Sequence, residues 1–93
     1  MTEHVYAVSL DKDAQKALEC LPSKEVARIV KKINSLASDP RPPGCEKMKG
    51  ADKDYRVRVG DYRIIYSIED KQLLILVIDI GPRKDIYRRR KHR

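Results

Sequence analysis

Phenylalanine and tryptophan are absent from this 93-residue chain, so Val, Ile and Leu with five tyrosines must fill any core. Histidine is scarce: His4 and His92 lie near the two ends. No His/Cys/carboxylate cluster with metal-ligand spacing exists, and a Ser/His or Cys/His nucleophile pair has no candidate. Four glycines build no phosphate-cradling loop. Cys20 and Cys45 fit no metal motif and nothing else suggests secretion, so both are read as reduced packing thiols. No apolar run approaches the ~20 residues of a membrane span; the longest, Leu73 to Ile78, is strand-sized. Met1 to Leu10 carries Glu3 and His4 and no long apolar stretch, unlike a signal peptide. The expected setting is the cytoplasm, with no membrane, metal or cofactor. Negative charge is also short: 14 acidic residues face 21 Lys and Arg, a net +7. On a small domain that excess favours a polyanionic partner through counterion release and steering.

What is present reads as one α+β domain over residues 1–93. Val5 to Leu10 is apolar and β-prone and predicts a first strand. Asp11 can cap a short helix through about Leu21, with Ala14, Ala17, Leu18 and Leu21 on one face. Ser23 can cap a second helix, in which Val26, Ile29, Val30, Ile33, Leu36 and Ala37 form an apolar stripe. Lys24, Arg28, Lys31 and Lys32 fall largely elsewhere on its surface. An antiparallel helical hairpin is expected. Three prolines in 40–43 hold an extended connector, and the segment to Lys53 reads as a loop. A three-stranded antiparallel meander follows, forming a small sheet packed on the helices. Its strands are Tyr55 to Val59, Tyr62 to Ile68 and Leu73 to Ile78, the last read as a central strand that Gly81-Pro82 stops. The tail from Arg83 to Arg93 holds seven Lys or Arg.

The hairpin carries the functional signal. A two-residue turn at Gly60-Asp61 pairs Val59 with Tyr62, Arg58 with Arg63 and Arg56 with Ile65. Period-2 geometry then puts Tyr55, Val57, Val59, Tyr62, Ile64 and Tyr66 against the helices, and Arg56, Arg58 and Arg63 on the opposite face. Arginines directly opposite one another repel. A stability-driven sequence would put an acid at one of the two positions, so the pair points to an anion from outside, with phosphate the best fit. The bland alternative is a solvated face of long stems covering apolar surface. Tyr87, among the tail's cations, could stack on a base or move a proton.

At these residues the chain resembles the RelE toxins of bacterial and archaeal toxin–antitoxin systems, within the wider RelE/ParE superfamily. The likeness spans nearly the whole length. It takes in the strand, the helical hairpin, the Asp39-Pro40-Arg41 loop and Lys47-Met48-Lys49-Gly50. It continues through the run from Tyr55-Arg56-Val57-Arg58-Val59-Gly60 to Tyr66, and ends with Gly81-Pro82-Arg83-Lys84-Asp85-Ile86-Tyr87. The resemblance implies a ribosome-bound endoribonuclease that cuts messenger RNA in the A site, needs no metal, and is silenced by an antitoxin. It implies catalytic roles for Arg56, Arg58, Arg63, Arg83 and Tyr87, and RNA contacts for Lys47, Lys49, Lys84, Arg88, Arg89 and Arg90. Cations of the helices and tail would grip ribosomal RNA. Two departures matter. Sheet positions that are lysine in some members are Arg56 and Arg58 here, and arginine cannot deprotonate. Many relatives have His where this chain has Pro82. Tyr87 is then the best titratable candidate, with Lys84 the competitor. Two alternatives stay open: a ParE-like toxin that inhibits DNA gyrase without cutting RNA, and a basic nucleic-acid-binding module without chemistry.

Overall fold

The computed structural model describes residues 5–50 and 53–82. Along the chain come β1 (Ala7–Leu10), α1 (Lys12–Glu19), α2 (Ser23–Leu36), β2 (Glu46–Lys47), β3 (Asp54–Val59), β4 (Tyr62–Glu69) and β5 (Leu74–Pro82). The strands form one sheet in the order β1-β5-β4-β3-β2. The meander is as expected, but the sheet has five strands, because β1 pairs in parallel with β5 and β2 pairs with β3. β5 is an interior strand, as expected, flanked by β1 and β4, and β4 lies at the middle of the five. Four successive residues of it, Arg63, Ile64, Ile65 and Tyr66, are buried, as a strand covered on both faces requires.

Local chemistry sets the helix ends. The Asp11 carboxylate accepts from the Lys12 amide at 2.8 Å and starts α1. Ser23 does not cap α2; Pro22 does so with no side-chain bond, its carbonyl accepting from the amides of Glu25 and Val26 at 2.9 and 3.0 Å. Proline's fixed φ suits that entry, here −59°. The stripe of α2 buries Ile29, Ile33 and Leu36, and Ala14 of α1 joins them over Val57, Ile64, Tyr66, Ile68, Ile75, Val77 and Ile80 of the sheet.

Gly81 and Pro82 extend β5 instead of ending it, pairing with Arg63 and Tyr62. Proline is tolerated there because it is the strand's last residue. A register shift between Ile65 and Tyr66 lets β5 run on usefully: Tyr66 faces Val77, whereas Ile65 faces Asp79, so Ile78 is the extra residue. Without it, strict alternation would turn Ile80 away from the face shared by Ile75 and Val77, yet Ile80 is a core residue. The shift therefore moves Asp79 and Gly81 onto the face opposite the helices.

The proline-rich connector is latched rather than loose. Arg41 grips Asp70 with both terminal guanidinium nitrogens (2.9 and 3.4 Å), donates from Nε to the Tyr55 hydroxyl at 3.2 Å, and lies 5.2 Å from that ring's centroid. Tyr6 donates to the same Asp70 carboxylate at 2.8 Å. Tyr66 donates its hydroxyl to the Pro40 carbonyl at 2.7 Å, and its ring stacks with Tyr55 at 6.1 Å. Burial pushes the Tyr66 phenol well above its usual range, so it stays neutral and keeps that proton. This latch fixes where the chain enters β2.

Candidate functional site

The hairpin builds the site as its sequence implies. Gly60, the first of two turn residues, sits at φ +60°, which a type II′ turn requires. The register then puts Arg58 directly opposite Arg63 and Arg56 opposite Ile65. Tyr55, Val57, Val59, Tyr62, Ile64 and Tyr66 all belong to or pack on the core. Arg56, Arg58 and Arg63 converge on the other face.

They line a cavity of about 190 Å³ with Gly44 and Glu46. A second depression of about 230 Å³ lies beside it, lined by Arg58, Gly60, Asp61, Tyr62 and Arg63. Arg58 and Arg63 border both. The two are held differently. Arg63 is only 8% exposed on the central strand, whereas Arg58 is exposed. A buried, always-charged guanidinium is not the solvated stem of the bland reading.

Sequence reasoning missed Glu46. Its place on the two-residue β2 puts it opposite Arg56, whose Nε and Nη2 donate to Oε1 at 2.7 and 2.5 Å. Hydrogen bonds from Arg56 hold the Glu46 carboxyl below its usual range, and the charges of Arg56, Arg63 and Arg58 act in the same direction. It is thus ionised at neutral pH and acts as an internal anion for the cluster. The acid that a stability argument demands exists, but across from Arg56 and contributed by a neighbouring strand. The sequence signal was faint: one acidic residue three places after Pro43, in a segment that reads as a loop.

Other candidates separate. Lys47 pairs with Tyr55 and so takes the core-side register, off the arginine face. Lys49 is exposed in the turn after β2. Arg83, Lys84, Tyr87, Arg88, Arg89 and Arg90 lie outside the described residues. Among the described residues, no group of three or more His, Cys, Asp or Glu could hold a metal ion.

A helix pair on one face of a mixed sheet, with an arginine cluster on the other, defines a small basic domain with an anion-binding face. Residues 8–87 match the family described as the ParE toxin of type II toxin–antitoxin systems, parDE. The toxin RelE of Mycobacterium tuberculosis is 30% identical over 87 residues, covering 92% of this chain and 90% of its own. Toxin RelG of the same organism is 28% identical, covering 90% and 98%. Among solved structures, the archaeal RelE–RelB complex from Pyrococcus horikoshii matches with TM-score 0.76 and 33% identity, over 85% of this chain and 96% of that one. The intact Escherichia coli RelBE complex matches with TM-score 0.74 and 25% identity, over 83% and 95%. The chain belongs to the ParE/RelE toxin family and is a RelE-type toxin of a toxin–antitoxin system.

Proposed function

We propose that this toxin is a ribosome-dependent endoribonuclease that cleaves messenger RNA in the A site, in the cytoplasm, by 2′-hydroxyl transesterification without a metal. The observation that carries this reading is the Arg58–Arg63 opposition, with Arg56 beside it, around an anion-sized cavity. Such a cluster suits the transition state of phosphoryl transfer, where charge accumulates on non-bridging oxygens. In the proposed step the ribose 2′-oxygen attacks the adjacent phosphorus while the bond to the 5′-oxygen breaks. The 2′ proton passes to Tyr87, and the leaving 5′-oxygen takes a proton from solvent. The products are a 2′,3′-cyclic phosphate and a 5′-hydroxyl.

Arg63, fixed by burial, and Arg83 stabilise the phosphorane. Arg83 follows Gly81, the β5 partner of Arg63, by two residues. Arg56 and Arg58 hold the backbone. Tyr87 can act as base only if its pKa falls from ~10 toward neutrality, which surrounding cations favour. Arginines cannot take that proton. Glu46 is ionised but strongly claimed by Arg56, which makes it a weak proton acceptor. The ribosome supplies orientation of the message, worth several kcal/mol. Lys49, Lys84 and Arg88 to Arg90 contribute charge toward RNA, whereas Lys47 takes the core-side register. The relatives solved with RelB support an antitoxin partner here as well.

The family match to ParE keeps a second reading, gyrase inhibition, in view. Brief expression followed by mapping of RNA 5′ ends decides between them. New ends inside translated codons are expected, and they should vanish in Arg63→Ala. Growth arrest with intact messages and DNA-damage signs would establish the gyrase reading instead.

A further inference from the structure

Arg58 and Arg63 border two depressions, and the second differs in chemistry from the first. The acid in the first, Glu46, is held by Arg56, so its charge is neutralised within the protein. The acid in the second is Asp61, the exposed second residue of the hairpin turn. Its carboxylate makes no hydrogen bond or ion pair among the described residues, although Arg58 and Arg63 line the same depression. A carboxylate left unneutralised repels phosphate. The second depression is therefore not a seat for a second phosphate.

The turn does not demand that acid. Gly60 supplies the positive φ, and asparagine or serine can follow such a glycine as well as aspartate can. What a carboxylate adds is two oxygens that accept and cannot donate. Its natural occupant is a neutral group with donors side by side. On a message, that group is the Watson–Crick edge of a base splayed out of the strand. Guanine presents two adjacent donors there, N1–H and the N2 amine, which together satisfy both oxygens. Adenine and cytosine offer one amine beside a ring nitrogen that a carboxylate repels. Uracil offers one N3–H between two carbonyls.

The arginines of the depression suit a base as well. Tyr62 packs on the core, so the stacking surface falls to the exposed guanidinium of Arg58. A guanidinium can stack with its face while its edge donates to phosphate. Because Arg58 and Arg63 border both depressions, a phosphate seated in the first leaves its own nucleotide within reach of the second.

We propose that the depression of about 230 Å³ at the hairpin tip is a nucleobase subsite, in which Asp61 selects guanine at a nucleotide flanking the cleaved phosphate. This deepens the endoribonuclease reading and rests on it.

The test is the choice of message. Programmed ribosomes would carry messages with guanosine, inosine or adenosine at each base flanking the cut; inosine keeps N1–H and lacks the N2 amine. At one of these positions wild-type protein should favour guanosine over adenosine roughly tenfold in kcat/KM, with inosine between them. Asp61→Asn keeps the turn and the side chain's shape but exchanges one acceptor for a donor. It should bring the guanosine-to-adenosine ratio down to about twofold or less. Bias from the ribosome is common to both proteins and drops out of the comparison. Asp61→Ser repeats the measurement if thermal melts show that the amide disturbs the hairpin. A wild-type protein indifferent to the three bases, or a ratio that both variants preserve, would overturn the subsite and leave the endoribonuclease reading standing. If wild-type protein cleaves no message, that reading fails first. Binding of a short oligouridine with one central guanosine, against its inosine counterpart, then decides the subsite alone. A preference of roughly threefold or more that Asp61→Asn abolishes supports it, and equal binding overturns it.

Discussion

Exchanging Arg58 for glutamine should make the protein more stable and less active at once. The register sets Arg58 against Arg63, and like charges directly opposite across a strand pair cost about 0.2–1 kcal/mol. Glutamine removes that repulsion and keeps most of the stem. Little attraction is lost in exchange, because Glu46 is bonded to Arg56 and the pull of Arg58 on it is the weakest of the three arginines. In a domain of this size 1 kcal/mol moves Tm by about 4–8 °C, so a rise of about 1–8 °C is expected at low salt. The gain should fade near 1 M salt, where the screening length falls to ~3 Å. Single-turnover cleavage on programmed ribosomes should fall by about 10²-fold or more, the usual loss when one transition-state donor is removed. Thermal melts at two salt concentrations and the cleavage assay read both effects. A lower Tm, or a gain that persists in high salt, would show Arg58 to be a packing residue. Full cleavage activity would remove it from the phosphate site.

Glu46→Gln removes the internal carboxylate that Arg56 holds; because the Glu46 side chain is itself exposed and screened by solvent, RNA binding should tighten by only roughly two- to fivefold, and weaker binding would mean that Glu46 positions Arg56 instead of occupying it. Tyr66→Phe deletes the bond to the Pro40 carbonyl and should cost about 1 kcal/mol, or about 4–8 °C in Tm; an unchanged melt would show the connector held by Arg41 alone. Asp70 and Glu46 both have carboxyls held below their usual range, Asp70 chiefly by the Arg41 hydrogen bond. Their contribution to stability is therefore complete above the ordinary carboxylate pKa of ~4 and is lost as pH falls through the lower folded values. Asp70→Asn should show a shallower loss of Tm on the acid side, and a wild-type melt that is flat through this range would contradict the latch. Tyr87→Phe should lower single-turnover cleavage by ~10²-fold with binding unchanged, against roughly tenfold or less for Lys84→Met; near-wild-type cleavage by Tyr87→Phe would reduce Tyr87 to a stacking platform.

Much of the fold was legible because two periodicities are clean. The 3.6-residue stripe from Val26 to Ala37 located α2, and the alternation of Tyr55 to Tyr66 around Gly60 gave both register and faces of the hairpin. What was not legible depends on contacts distant in sequence. The pairing of β1 with β5 joins residues 7–10 to 74–77, and no local pattern encodes it. The unbroken run from Leu73 to Ile78 marked an interior strand, which β5 is, but not which strands flank it. Pro82 reads as a stop, yet a strand's last residue needs no further ladder bond. At the site, the Arg58–Arg63 opposition follows from turn length alone. The Glu46–Arg56 pair requires β2, whose two residues are too few to show alternation. Lys47 was placed among the RNA contacts by the resemblance, and only the register with Tyr55 assigns it to the other face.

The central claim is tested most directly by the chemical ends left on a message. Purified toxin would be mixed with ribosomes carrying a defined messenger with its A site vacant, and the fragments analysed at both termini. The account predicts one cut within the A-site codon, a 2′,3′-cyclic phosphate on the upstream piece and a 5′-hydroxyl on the downstream piece, with none of these for Arg63→Ala. An intact message, or fragments bearing 5′-phosphates, would contradict it.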